Sequence, residues 1–410
     1  EWKTHLESYS NEYKKFEFAS LQFSNTDNKV YSNLIVYHNP DYVDIFARKR
    51  KLDPDIGVQL KANAVTRPKV VRNHQTQARE IIIQNDSNEV SLIGANGKIL
   101  WSKKLKGKVI SEIQQIDYFR NGYLQYIMAY DSAVTVIDRN GNEVSGFPRK
   151  LPFKVDKFNV IDYDNSKNYR FIFSDIHGNV FMYNKEGSLL EGWRPFFSNG
   201  TLAIEPRHIR VRGRDCIILF QKSGKFFLLS RRAEVLPGFP VDLGPDVNFD
   251  YALSYGSNFS NSEFTFVNKQ GLIKRMNLEG EILNQQQFLS EFRNPQFTIV
   301  SDVLGRGYII VAREIGNIQF MNEKGETLFQ QRLVGGLNYN FQYYNFGSTQ
   351  KLYVITDPEQ EYSYLFNSSG NLLNNSPIDS KFDIGVLYSE SNNQYKIYSA
   401  YENKVNIYSF

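Results

Sequence analysis

The stretch Val90-Ser91-Leu92-Ile93-Gly94-Ala95-Asn96-Gly97-Lys98-Ile99-Leu100-Trp101 decides the fold. A short strand enters it, a turn carrying Gly interrupts it, and a second apolar run leaves it. The same unit recurs along the chain. Its turns are Ala95-Asn96-Gly97, Arg139-Asn140-Gly141, Lys185-Glu186-Gly187, Leu278-Glu279-Gly280, Glu323-Lys324-Gly325 and Ser369-Gly370. Successive glycines lie 44, 46, 93, 45 and 45 residues apart. The double step predicts an unmarked turn near residue 233, where Arg231-Arg232-Ala233-Glu234-Val235 puts Ala in place of Gly.

Each unit repeats its parts in order. An alternating strand precedes the turn (Val134 to Ile137, Val180 to Tyr183), and a more continuously apolar strand precedes that one (Glu80 to Ile83, Cys216 to Leu219). One strand follows the turn, and another opens the next unit, as in Ile110 to Tyr118 or Val155 to Tyr163. Four short strands in each repeat, with no helical period between them, match a β-propeller blade. Helix-pair solenoids would show a period of about 3.6, and a parallel β-helix would repeat sooner. A closed ring also leaves no end blade with a bare apolar face.

The two strand types before the turn occur eight times each, the last being Val405 to Tyr408. The expected fold is therefore all-β: an eight-bladed β-propeller of four-stranded antiparallel blades, with seven blades as the alternative. The last blade has no room for an outer strand before Phe410, so an N-terminal strand must close it. Asp44 to Leu52 resembles Ile99 to Leu105 and is one candidate; Gly57 to Lys61 is its rival. This divides the chain into residues 1–43 and a propeller over residues 44–410.

The first segment reads differently. Trp2, Leu6, Tyr9, Tyr13 and Phe16 make one helical stripe, and Phe16 to Phe23 and Val30 to His38 flank the turn-forming Asn25-Thr26-Asp27-Asn28. Because the chain opens Glu1-Trp2-Lys3, it reads as a mature product or an excerpt of a longer chain.

Composition excludes several classes. The 410 residues include 31 Phe, 26 Tyr and 3 Trp, an aromatic content that favours pleated surfaces. Hydrophobic residues at 41% fill a core, which rules out wholesale disorder. No apolar run is long enough for a membrane helix. A net charge of +4 demands no nucleic acid. The sole cysteine, Cys216, leaves no internal disulfide and no thiolate cluster, and its apolar strand predicts a buried, inert thiol.

Gly97-Lys98-Ile99-Leu100-Trp101 resembles the quinoprotein-type (PQQ-like) propeller repeat, in which a Gly turn precedes an outer strand bearing Trp. Gly146-Phe147-Pro148, Gly192-Trp193 and Gly238-Phe239-Pro240 resemble variants of bacterial cell-envelope propellers. Residues 44–410 resemble the C-terminal propeller of large Bacteroidota envelope proteins that carry an upstream domain of unknown function, which implies that residues 1–43 are the tail of that domain. The resemblance implies a periplasmic or outer-membrane-associated scaffold, similar in architecture to the propeller lipoprotein of the outer-membrane β-barrel assembly machinery. Its partner would be a protein, such as an outer-membrane β-barrel. Membrane association would come only through a missing N-terminal anchor or that partner. The chain departs from the pattern in keeping Trp only at Trp101 and Trp193, and in placing Ala233 at a turn.

Sites of chemistry are sparse. The vicinal cysteines of quinoprotein dehydrogenases are impossible with one cysteine, and no cofactor is expected. Asp162, Asp164 and Asn165 form the most metal-like run, but Lys167 and Phe173 occupy the positions where a helix-loop-helix calcium loop needs Gly and Glu. A polar hairpin turn is the favoured account. The histidines His5, His38, His74, His177 and His208 show no zinc spacing. No nucleophile elbow, phosphate loop or dinucleotide fingerprint is present. The basic runs Arg48 to Lys51 and Lys103 to Lys108 suit edge protection better than a polyanion or lipid contact. The favoured role is a non-enzymatic interaction scaffold, with Asn248 to Asn261 and Leu337 to Thr349 as candidate contact loops. The alternative is a propeller acting on or binding a glycan in its central channel, for which Glu112 and His208 are the isolated candidates.

Overall fold

A computed structural model describes residues 16–26, 29–38, 52–333, 338–347 and 349–410. Residues 52–410 form one compact unit. Among the described residues, this unit holds eight four-stranded antiparallel sheets, each a blade of the propeller. Blade 1 runs Lys69–Arg72, Arg79–Gln84, Glu89–Ile93 and Ile99–Lys104 from the inner to the outer strand. The inner strands of blades 2 to 8 are Gln114–Ile116, Val155–Ile161, Arg207–Val211, Ala252–Ser254, Gln296–Ser301, Asn340–Gly347 and Gly385–Ser389. Blade 8 takes its outer strand from Ile56–Gln59, which pairs antiparallel with Lys404–Ser409 in the register Ile56 to Ile407 and Val58 to Val405. The closing strand thus comes from the rival segment; Asp44 to Lys51 lies outside the described residues.

Second strands are buried almost throughout, as in Gln125–Tyr130 and Arg214–Phe220, because both faces of a middle strand pack on neighbouring blades. Each inter-blade core therefore draws on two sheets. Ile161, Ile172 and Met182 of blade 3 pack with Ile217, Leu219 and Leu229 of blade 4. Blade 4 meets blade 5 through Phe220, Phe226, Phe264 and Phe266, whose rings mostly pack edge to face.

The repeat's Gly turn has a structural reason. In all seven turns the N–H at the glycine position, Ala233 included, donates to the carbonyl three residues earlier, and the backbone there is left-handed (Gly97 φ 80°, Ala233 φ 65°). The missing Cβ lets the preceding blade approach. A Cβ at Gly141 would sit 2.9 Å from the Trp101 ring, one at Gly370 would sit 2.7 Å from Phe329, and one at Gly97 would sit 2.4 Å from Ile56. Trp101, Phe329 and Ile56 all belong to outer strands. The Trp101 indole N–H then donates to the Arg139 carbonyl at 2.7 Å, tying blade 1 to the turn of blade 2.

Trp193 does not repeat this role. It lies before the two-residue outer strand Phe196–Phe197, is buried in the core between blades 3 and 4, and turns its indole N–H to Val180 of its own blade. The reason is a broken outer strand. In blades 2, 3, 4 and 7 the run after the turn makes one bridge to the third strand, detours, and returns as two residues, such as Arg149–Lys150. The Gly146-Phe147-Pro148, Gly192-Trp193 and Gly238-Phe239-Pro240 segments form the detours. Blades 1, 5 and 6 keep six-residue outer strands.

The other compact unit contains a hairpin in which Phe16–Thr26 pairs with Lys29–His38, Leu21 opposite Leu34. Leu21, Phe23, Leu34 and Val36 share one exposed face. The helical stripe from Trp2 to Tyr13 lies outside the described residues.

Candidate functional site in the central channel

Inner strands of a propeller line its axis. On the side of blades 1 to 4 they and the segments leading into them enclose a polar cavity of about 810 Å³. Arg67, Lys69, Glu112, Asp162, Arg207 and His208 all face it. Glu112 and His208, isolated in the sequence, are thus brought to one cavity by ring closure. Their surroundings decide what they can do.

Glu112 is clamped between two cations. Arg67 Nη2 lies 2.6 Å from its Oε1, and Lys69 Nζ donates to the same oxygen. Burial opposes the charge of Glu112, but Arg67 and Lys69 together outweigh it and hold the carboxyl below its ordinary value. This shift runs opposite to the raised value that the general acid of glycoside cleavage needs. Arg67, which leads into blade 1, also feels Asp383, which leads into the neighbouring blade 8, and Tyr344 of blade 7. Its charge thus links the blades on either side of the ring closure to Glu112. Burial raises the Asp383 carboxyl, with Arg67 opposing.

His208 belongs to a second network. Its Nε2 lies 2.7 Å from Asp215 Oδ1, and Arg231 Nη2 lies 2.6 Å from Asp215 Oδ2. The Asp215 side chain is almost fully buried. The Tyr163 ring of blade 3 packs edge-on to His208, and the Arg231 guanidinium sits 4.3 Å from the centre of the same ring. His208 is therefore oriented by a buried acid and screened by a phenol. Between the two networks, Gln114 donates to Asn159 Oδ1 at 3.1 Å and Asn159 donates to the Pro206 carbonyl at 2.9 Å. Side-chain hydrogen bonds thus cross blades 2, 3 and 4 along the channel wall.

The Asp162 loop is a turn. Asp162 Oδ2 accepts from the Lys167 N–H at 2.9 Å, Asn165 and Lys167 are left-handed, and Lys167 Nζ pairs with Asp117. Asp164 is fully exposed, and its carboxyl is lowered first by a hydrogen bond from Ser166. Among the described residues, no group of three or more His, Cys, Asp or Glu is placed to hold a metal.

No family model matches the chain, and no curated protein matches it in sequence. Solved structures do match. BamB from Moraxella catarrhalis aligns with TM-score 0.54 at 12% identity, over 88% of this chain and 98% of that one. Saccharomyces cerevisiae Sqt1 aligns with TM-score 0.62 at 11% identity, over 88% and 99%. The Dos1 propeller aligns with TM-score 0.54 at 13% identity, over 87% and 95%. What they share with this chain is the fold.

The remaining candidates fall into the scaffold. Cys216 is buried in the second strand of blade 4, and burial pushes its thiol up to about 11. His177 sits in a tight turn whose N–H groups are capped by Asp175. Lys103 and Lys104 end the outer strand of blade 1. Of the expected contact loops, Tyr251, Tyr339, Tyr343 and Tyr344 are buried, whereas Tyr255 is exposed; Leu337 lies outside the described residues. The Arg67, Lys69 and Asp383 partners of the channel escaped the sequence reading because they have no counterpart in the repeat.

Proposed function

We propose that the chain is a protein-interaction scaffold that binds through one rim of the propeller. The observation that carries this reading is the placement of exposed apolar side chains. Among the described residues, seven large apolar side chains of the propeller are more than half exposed. Phe119, Tyr123, Tyr255 and Val303 lie in loops joining an inner strand to the second strand, whereas Phe197, Leu289 and Ile315 lie elsewhere. In a ring of antiparallel blades those loops emerge on the same side. Rigid blades holding apolar loops on one rim suit a protein partner. The repeat's resemblance to envelope propellers supports a place in a bacterial cell envelope, in an outer-membrane assembly or secretion complex, with residues 1–43 as the tail of an upstream domain. Isolation of the full-length protein from its native membrane tests this. An outer-membrane β-barrel should co-purify, and Tyr255→Ser combined with Val303→Ser should release it without lowering the thermal midpoint. A monomer without partners that cleaves glycan would overturn the reading.

A second reading is glycan recognition in the central cavity, which Glu112 and His208 both line. Paired charges and amides that cross the channel wall favour binding polar hydroxyls over cleaving them. Titration with envelope polysaccharide fragments distinguishes it, since Asn159→Ala would weaken such binding and leave rim partners attached.

A further inference from the structure

A smaller cleft of about 240 Å³ lies at the seam of blades 6 and 7, away from the channel cavity. Three cations line it: Arg306, Lys324 and Lys351. None of them makes an ion pair with a described residue; Arg306 Nη1 reaches only the Asn345 carbonyl, at 3.5 Å. Glu323 is the one acid on the wall, so the lining carries a net charge of +2.

Of the three phenols on the wall, Tyr308 accepts from Arg275 Nη2 at 3.5 Å and two remain. Tyr343 and Tyr353 are 4% and 2% exposed, and their ring centres lie 5.2 Å apart. Neither hydroxyl has a hydrogen-bond partner among the described residues, and neither oxygen is a buried unpartnered atom, so both are open to the cleft. Phe320 and Phe329 pack edge-on to Tyr353 and fix its position. The cationic side is fixed as well. Buried Asp302 accepts from the Asn345 N–H and the Arg306 N–H, both at 2.8 Å, and Asn345 Nδ2 donates to the Arg306 carbonyl at 3.2 Å. The loop bearing Arg306 is thus held to blade 7 before any ligand arrives.

We propose that this cleft binds a dianionic phosphoryl group, free or as a monoester. Unpaired cations and donors without acceptors call for the same thing, an oxyanion. Phosphate esters carry about −1.5 to −2 at neutral pH, which matches the lining charge, and offer three acceptor oxygens. Burial raises both phenols above their ordinary value, that of Tyr353 to about 12, so they remain donors at neutral pH.

Calorimetric titration of the whole chain with inorganic phosphate, O-phosphoserine and glycerol 3-phosphate tests the assignment. At least one should bind saturably and more weakly as salt rises. A preference for an ester over inorganic phosphate identifies the source as a phosphorylated side chain or a lipid-like headgroup; equal binding identifies free phosphate. Lys351→Gln should raise the dissociation constant about tenfold and Tyr343→Phe roughly fivefold. Tyr343→Phe removes an unpartnered hydroxyl and should keep the thermal midpoint, while Lys104→Gln on blade 1 should leave binding unchanged. Absence of saturable binding by all three ligands, or equal affinity in the Lys351 and Tyr343 variants, overturns the proposal.

Discussion

A left-handed turn accepts a side chain only where nothing stands over it, and two positions of the repeat separate these conditions. At Gly280 (φ 86°) a Cβ would lie 2.4 Å from the Gly238 carbonyl oxygen, which is backbone of the preceding blade. Gly280→Ala should therefore cost about 2–4 kcal/mol, the left-handed penalty plus displacement of a neighbour that cannot rotate away. At Ala233 the methyl already fits the core between blades 3 and 4. Ala233→Gly relieves about 1–2 kcal/mol of backbone strain but gives up about 0.8 kcal/mol of burial and loosens the unfolded chain, so it should fall within about 0.5 kcal/mol of the parent. Urea denaturation of the two variants checks the contrast, and similar losses in both would refute it. Asp117 supplies a pH-dependent case. Burial opposes its charge, yet hydrogen bonds from Lys167, the Gly122 N–H and the Asn121 N–H win and hold its carboxyl below the ordinary value. Their stabilisation is complete above the unfolded carboxyl range and vanishes as pH falls through the lowered folded value. Asp117→Asn should cost about 2 kcal/mol at neutral pH and little once both forms are protonated. A loss that stays constant through the acid range would show that the charge is irrelevant.

Blades are joined by outer strands as much as by cores. Where the outer strand is continuous, an aromatic or branched side chain slides under the next blade's Gly, as Trp101 does at Gly141 and Phe329 at Gly370. Trp101→Phe keeps a ring beneath Gly141 and removes only the bond to the Arg139 carbonyl, so it should cost about 1 kcal/mol. Trp101→Ala should cost about 3–5 kcal/mol by opening the seam. Thermal unfolding of the pair separates the bond from the packing. Much of this element-level design was legible. The Gly period fixed the length of the repeat, because a turn that must be left-handed leaves its mark in six of seven copies, and the two strand types before the turn supplied the count of eight. Another mark was visible and went unread: Asp138, Asn184, Ser230, Asn277, Asn322 and Asn367 all stand three residues before the turn position and cap the N–H groups beyond it. The channel was less legible. Glu112 reaches Arg67 across 45 residues, and Arg67 senses Asp383 of the adjacent blade 8 from the other end of the chain, contacts that local pattern does not encode. The broken outer strands do carry a local mark, since Gly146-Phe147-Pro148, Gly192-Trp193 and Gly238-Phe239-Pro240 interrupt the run after the turn in blades 2, 3 and 4 and have no counterpart in blades 1, 5 and 6.

At the scale of the whole ring, closure rests on four residues. Among the described residues, Ile56–Gln59 supplies the only strand pairing for the outer edge of Lys404–Ser409 within blade 8. It also seals the seam to blade 1. Val58 and Leu60 pack with Ile81, Ile83, Ile93, Val405 and Ile407, and Ile56 lies under the Gly97 turn. A ring held at one joint by so short a strand should separate two truncations sharply. Removing residues 1–51 leaves the unit from Leu52 to Phe410 whole and should not shift the thermal midpoint. Removing residues 1–61 strips the closing strand. Burial of Val58 and Leu60, at about 1.5–3 kcal/mol each, is lost, and Lys404–Ser409 becomes an open edge that recruits another chain. The longer truncation should therefore unfold at lower temperature and self-associate in light scattering. A peptide spanning residues 52–64 added in trans should restore both the midpoint and the monomer, because it returns the strand without altering anything else. A longer truncation that stays monomeric with the parent's midpoint would show that the remaining blades close without this strand.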